Sequence, residues 1–284
     1  MALGELSVSN HDRDVFGLKY VYPVVSRRAG GVSVGINLNP NNACNWACVY
    51  CQVPNLARGN APPIDLEQLR AELRLMLQAI VHGSFLQDHV PEAARRLNDI
   101  AFSGNGEPTS ASCFADAVEL VGAVLREFGL QEQIKLVLIS NGSLVGKPAV
   151  QDGLRRLAAL GGEIWFKLDR GSAADMAAVN RVHLAPAAVL RNLLQAAQLC
   201  PTWVQSCFFA WDGAVPAADS VAAYLQLLAD AVNAGAGLRG VLLYGLARPS
   251  LQPQAPHLSP APLEWMQALA EKIQALGLQV KLSA

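Results

Sequence analysis

IKLVLISNGSLVGKPAVQDGLRRLAAL, residues 134–160, holds the unit from which the rest of the chain can be read. Its first seven residues are nearly all apolar, as a strand covered on both faces requires, and residues 148–160 follow as a helix. A short β-rich run followed by a longer amphipathic helix is the signature of parallel strands joined by crossover helices. The unit recurs. A strand over 32–37 precedes a helix over 64–81, in which Leu66, Leu69, Leu73, Leu77 and Ile80, spaced by three and four, form one apolar stripe. A strand over 99–103 leads to a helix starting near Ser112. Strands over 164–168, 203–209 and 238–244 follow, with helices over 186–199, 215–233 and 260–276 and a short last strand over 278–282. Six or seven such units predict an α/β fold in one domain over residues 1–284, a partial (β/α)6 barrel of the TIM type with its core at about 30–283. A doubly wound open sheet is the competing architecture, but the phosphate-cradling glycine pattern it would carry after the first strand is missing. Residues 246–262 contain Pro249, Pro253, Pro256, Pro260 and Pro262 and read as an ordered surface crossing, not a linker.

Composition narrows the classes of function. With 52% hydrophobic and 16% charged residues over 284 positions, the chain can bury a real core, which excludes disorder and a coiled coil. No apolar run approaches the ~18 residues that span a bilayer, and Glu5, His11, Asp12, Arg13 and Asp14 interrupt the start where a signal peptide would be apolar. A soluble, cytoplasmic protein without membrane contact is expected. Against 22 basic residues stand 23 acidic ones, so the overall field offers little long-range attraction to nucleic acid or anionic lipid, though a local basic patch stays open. Six cysteines are too few for a disulfide scaffold. In a reducing compartment they would serve metals or catalysis.

The first strand runs into NLNPNNACNWACVYCQVPN, residues 37–55, where Cys44, Cys48 and Cys51 form CxxxCxxC. Spacings of four and three let one compact loop aim three sulfurs at a common centre. Structural zinc wants four closed ligands, and no fourth stands at a usual spacing: His82 and His89 are far along the chain, and Cys113, Cys200 and Cys207 are isolated and expected to be buried in helices or strands. Three thiolates on a [4Fe–4S] cluster leave one iron open to an exogenous molecule. The loop follows a strand, at the end where barrels build active sites. Cysteines packed as small apolar residues, or zinc with a distant fourth ligand, are the bland alternatives.

Further polar motifs stand at strand ends. Ser103-Gly104-Asn105-Gly106-Glu107-Pro108-Thr109 ends the second strand; its glycines allow unusual backbone angles, and its carbonyls and Glu107 can accept hydrogen bonds from an ammonium. Ser140 and Asn141 end the third. In Trp165-Phe166-Lys167-Leu168-Asp169, alternation sets Lys167 and Asp169 on one face; if it is the interior, the charges must pair or meet a ligand. Asn180-Arg181, Arg248-Pro249 and Ser26-Arg27-Arg28 are weaker candidates. Each motif also has a plain reading as a turn, a helix cap or an ion pair.

CxxxCxxC with Tyr50 in the aromatic position resembles the signature of the radical SAM superfamily. The resemblance implies that Cys44, Cys48 and Cys51 hold one [4Fe–4S] cluster whose open iron is chelated by S-adenosylmethionine. Electron transfer to the sulfonium then yields methionine and a 5′-deoxyadenosyl radical, which takes hydrogen from a substrate. By the same resemblance Tyr50 packs near the adenine, Gly104, Asn105, Gly106 and Glu107 hold the methionyl amino group, and Ser140 and Asn141 meet the ribose. The cost of an isolated buried charge points Lys167 to the cofactor carboxylate or the substrate, which makes Lys167 and Asp169 the catalytic candidates. SRRAGGVSVGINLNP, SGNGEPT, SNGSL, FKLD with VNRV, and YGLARP are together similar to the wyosine-synthase-like branch. Those enzymes act on tRNA and carry further cysteines before the signature; here none precedes Cys44, and with a net charge of −1 a tRNA substrate is not favoured. A flavodoxin- or ferredoxin-type partner would supply low-potential electrons, and no second cluster is expected. The substrate is left open. The rival classes are a tRNA-modifying enzyme, an activase of a partner protein, and a zinc- or cluster-binding interaction module.

Overall fold

A computed structural model describes Leu6, residues 17–26 and residues 30–283. Arg27 and Arg28, and the charged positions at the start from Glu5 to Asp14 apart from Leu6, lie outside the described residues. The strands and helices of the main body are β1 (Val21–Ser26), β2 (Gly31–Ile36), α1 (Leu66–Val81), β3 (Leu97–Phe102), α2 (Phe114–Glu127), β4 (Lys135–Ser140) and α3 (Pro148–Ala159). They continue as β5 (Glu163–Lys167), α4 (Ala173–Val179), α5 (Pro186–Leu199), β6 (Thr202–Cys207), α6 (Ala218–Asn233), β7 (Leu238–Tyr244), α7 (Leu263–Gln274) and β8 (Val280–Ser283).

The eight strands form one sheet in which sheet order equals chain order. From β2 to β8 every pairing is parallel, so each crossover steps one strand sideways and never reverses. A doubly wound sheet needs such a reversal to cover both faces. Successive helices α1, α2, α3, α5 and α6 touch one another in a single outer layer. Their other flank is the sheet, which curls so that residues of β1 to β7 line one common cavity. The expected partial barrel is therefore the fold, with six βα steps and a closing β8.

The sequence reading omits β1, which pairs antiparallel with β2 from Val21↔Ile36 to Ser26↔Gly31. Its Pro23 argues against a strand interior, and the edge of a sheet is where a residue without an N–H can stand. The buried carboxylate of Glu72 on α1 anchors this edge by accepting the backbone N–H groups of Lys19, Tyr20 and Val21 at 3.1, 2.7 and 3.2 Å.

The helices follow their sequence signals. Asp65 caps α1 by accepting from the N–H groups of Glu67 and Gln68, and Leu69, Leu73, Met76, Leu77 and Ile80 are buried against the sheet. Burial of each such side chain is worth about 1.5–3 kcal/mol, and Leu73→Ala would cost about 2–5 kcal/mol. Pro148 and Pro186 open α3 and α5, where the missing N–H has no partner to lose. Among the described residues no helix is long and apolar enough to cross a membrane.

Candidate active site at the barrel mouth

The cysteine loop leaves β2 and lies across the C-terminal ends of the parallel strands. Ala43–Cys44 pairs with Ala57–Arg58, which closes the loop on itself. Three other segments then hold it. The N–H groups of Ala47 and Val49 donate to the carbonyls of Asn180 and Val179 at the end of α4, at 3.2 and 2.9 Å. Asn141, just past β4, donates its amide to Asn45 Oδ1 at 2.8 Å, and Asn45 donates to Ser143 Oγ at 2.7 Å. The proline-rich crossing closes over the far side: Ser250 Oγ donates to Val49 O at 2.7 Å, and Leu251 N and Gln252 Nε2 donate to Cys51 O at 3.0 and 3.2 Å.

The glycine turn after β3 supports the loop from beneath. Gly104 has φ +141°, and a side chain at Gly106 would meet Ala43 O at 2.1 Å. These glycines therefore serve the close approach of one loop to another. Glu107, buried at 2% exposure, accepts from Thr109 N, Thr109 Oγ1 and Ser140 Oγ at 3.2, 2.6 and 2.7 Å and from Asn141 N at 2.7 Å. Burial pushes its carboxyl above the usual range, and these hydrogen bonds pull against that. Glu107 thus ties the end of β3 to the end of β4. Ser140 is turned toward it and is not among the residues lining the cavity. Asn105 donates to Asn42 Oδ1 at 2.6 Å, while its own buried Oδ1 has no partner among the described residues.

Asp169 is a second hub, at 1% exposure. It accepts from the Tyr50 hydroxyl at 2.5 Å, from Asn180 Nδ2 at 2.8 Å and from Cys207 N at 2.8 Å. Lys167 Nζ stands 3.9 Å from its carboxylate, donates to the Tyr244 hydroxyl at 3.0 Å and lies over the Tyr50 ring at 5.1 Å. Burial, the largest single influence, would lower the Lys167 pKa; Asp169 together with Tyr244, Cys48 and Cys207 more than offsets it, so the pKa is raised and the ammonium stays protonated. The two charges anticipated on one face do pair. Burial also raises the Tyr50 phenol well above its ordinary value, so it stays a neutral donor to Asp169.

Cys44, Cys48, Cys51, Tyr50, Asn105, Glu107, Asn141 and Lys167 all border one cavity of about 320 Å³ that runs from the loop down into the barrel. Sequence reasoning missed much of its wall. Gln205 and Cys207 on β6, Trp165 on β5, Tyr244 on β7, and Ser33 with Asp99 deeper in the lumen also line it. Strand alternation could have flagged Gln205 with Cys207, but only the closed register shows that their face is the lumen. Cys207 packs in the same apolar cluster as Trp46, Cys48, Tyr50 and Phe209. Asn180 and Arg248, weak candidates by sequence, both sit against the cysteine loop or its cavity.

The donor set suits an iron–sulfur cluster. All six cysteines are free thiols, and burial holds those of Cys44 and Cys48 up to about 12. Ligation would have to displace these protons, as thiolate-bound metals do. Among the described residues no three His, Cys, Asp or Glu side chains converge as ligands of a single ion would. A cubane does not need that convergence, because each thiolate takes a different iron. Asn105, on the cavity wall, adds a buried acceptor, Oδ1, that has no partner among the described residues.

No family model matches the chain. A stretch of 161 residues is 29% identical to a UPF0026 protein of Helicobacter pylori, covering 56% of this chain and 44% of that one. Another of 135 residues is 28% identical to part of the GTPase Obg of Brachyspira hyodysenteriae, covering 46% of this chain and 17% of that protein. The chain thus spans less than half the length of these curated relatives. Among solved structures, it resembles a radical SAM methyltransferase from Sphaerobacter thermophilus with a TM-score of 0.54 at 15% identity, over 89% of this chain and 66% of that one. That likeness is one of fold.

Proposed function

We propose that the chain is a radical S-adenosylmethionine enzyme in which Cys44, Cys48 and Cys51 ligate one [4Fe–4S] cluster. The observation that carries this reading is that three thiols of one loop border a single cavity at the C-terminal end of the parallel strands, beside an acceptor without a donor. When bound, cluster and S-adenosylmethionine supply one-electron cleavage of the sulfonium and abstraction of a hydrogen atom from the substrate.

The chain's own residues bind and orient. Gly104, Asn105 and Gly106 offer oxygens to the methionyl amino group, with Glu107 and Ser140 holding their turn in place. Asn141 faces the ribose and Tyr50 the adenine. Lys167 meets a carboxylate, of cofactor or substrate, and Asp169 holds Tyr50 and Lys167 in position. The substrate occupies the lumen beneath, between Trp165, Gln205 and Tyr244. Electrons come from an external flavodoxin- or ferredoxin-type donor, in a reducing compartment such as the cytoplasm. Within the superfamily we favour the wyosine-synthase-like branch, on the SGNGEPT, SNGSL and YGLARP motifs. A near-neutral charge balance disfavours tRNA as substrate.

Cys207 supports a second reading, because a fourth thiol on the same cavity wall could close the metal site and make it structural. Anaerobic reconstitution with iron and sulfide decides between them. The expected result is about four irons and four sulfides in the wild type and in Cys207→Ala, neither in Cys48→Ala, and 5′-deoxyadenosine on adding dithionite and S-adenosylmethionine. Zinc without sulfide, or equal metal loss in Cys207→Ala and Cys48→Ala, would favour the closed site and sink the enzyme reading.

A further inference from the structure

The middle cysteine of the loop is clamped by two consecutive residues at the end of α4. Val49 N, on one side of Cys48, donates to Val179 O, and Ala47 N, on the other side, donates to Asn180 O. Between them the Asn180 amide donates to Cys48 Sγ at 3.2 Å and to Asp169 Oδ2 at 2.8 Å. The second contact settles which end of the amide faces the sulfur, since only the NH₂ group can donate to a carboxylate. Asn180 is itself fixed: it caps α4 with its N–H on Met176 O at 2.9 Å, and it is 1% exposed. At Cys44 the approach comes from within the loop, Trp46 N lying 3.4 Å from its Sγ.

We infer that Asn180 is the positioning residue for Cys48: it orients the sulfur toward the cluster and, through its N–H, stabilises the negative charge that the sulfur carries when the cluster is reduced. This rests on the radical S-adenosylmethionine reading for its redox half only. Hydrogen bonds to ligand sulfurs are one of the levers that set iron–sulfur potentials, and partners of the ligands fix ligand orientation. Because the same amide binds Asp169, which also holds Tyr50 and faces Lys167, Asn180 joins the cluster ligand to the charged wall of the cavity.

The test uses the full chain and two substitutions. Asn180→Leu keeps the branched shape and removes the donor; Asn180→Ala removes the donor and leaves space, and serves if the bulkier leucine does not fold. In cluster-free protein, amide hydrogen exchange across residues 44–51 should be at least tenfold faster in the variant, with exchange in β4 unchanged. In reconstituted protein, the reduced-to-oxidised ratio read by electron paramagnetic resonance at one fixed potential should fall about tenfold, equivalent to 59 mV for a one-electron couple. An unchanged value of either quantity would overturn the inference. If the wild type takes up no cluster at all, the enzyme reading fails, while the exchange measurement still decides whether Asn180 holds the loop.

Discussion

The Tyr50 hydroxyl donates to Asp169 Oδ2 at 2.5 Å, joining the aromatic residue of the cysteine motif to a carboxylate 119 positions away, just past β5. Both groups are buried, so the bond anchors the loop to the barrel in a place water does not reach. A hydrogen bond to a charged group in such a setting is worth about 1.5–3 kcal/mol. Tyr50→Phe should therefore lower unfolding stability by about that amount in denaturant titration while leaving the ring contact with Phe209 in place. A loss below 0.5 kcal/mol on this order-of-magnitude scale would mean that the loop is held by its other contacts.

Asp169 and Lys167 are coupled inside the wall of the cavity. Asp169→Asn should destabilise by about 3–5 kcal/mol, because it leaves a desolvated ammonium without its counter-charge. Adding Lys167→Met to that variant should recover part of the loss. A double-mutant cycle measures this, and strictly additive effects would contradict a structural ion pair.

Glu107 offers a pH signature. Burial raises its carboxyl above the usual range, so over the interval between the ordinary and the raised value the folded chain binds more protons than the unfolded one. Its contribution to stability is then present at low pH and is lost as pH rises through that interval. Glu107→Gln removes the titration and sets an NH₂ group against the donors from Thr109, Ser140 or Asn141, at a cost of about 1–3 kcal/mol. Subtracting the variant's stability curve from the wild-type curve between pH 4 and 8, roughly the range in which a raised carboxyl titrates, should show a downward slope. A flat difference would count against it.

Two glycines separate packing from mere flexibility. Gly106→Ala drives a methyl group onto Ala43 O, at 2.1 Å, and should cost about 1–3 kcal/mol and disturb the cysteine loop. Gly146→Ala meets nothing within 4 Å and should be neutral or stabilise by about 0.4–1 kcal/mol. Melting temperatures of the two variants, compared with iron retention after reconstitution, give the contrast.

Local pattern was enough for most of the frame. Apolar runs and amphipathic stripes set seven parallel strands and the helices between them within a few residues, because helix and strand periodicity depend only on near neighbours. The exception, β1, is an edge strand whose Pro23 is tolerated only because its partner lies on one side. The CxxxCxxC loop was legible for the same reason: its three thiols sit within eight residues.

Spacing could state that Lys167 and Asp169 share a face, and that Cys48 belongs to a three-cysteine motif. It could not state that Asn180 reaches Cys48, that Glu107 binds Ser140 and Asn141, that residues 250–252 cover the loop, or that Cys207 and Gln205 face the same cavity. Those partners lie tens to about two hundred positions apart, and they meet only once parallel register and the curl of the sheet bring the strand ends together. The order of elements and the cysteine motif are local properties of the chain, while the wall around that motif exists only in the closed sheet, because side-chain direction follows from register and register is a long-range property.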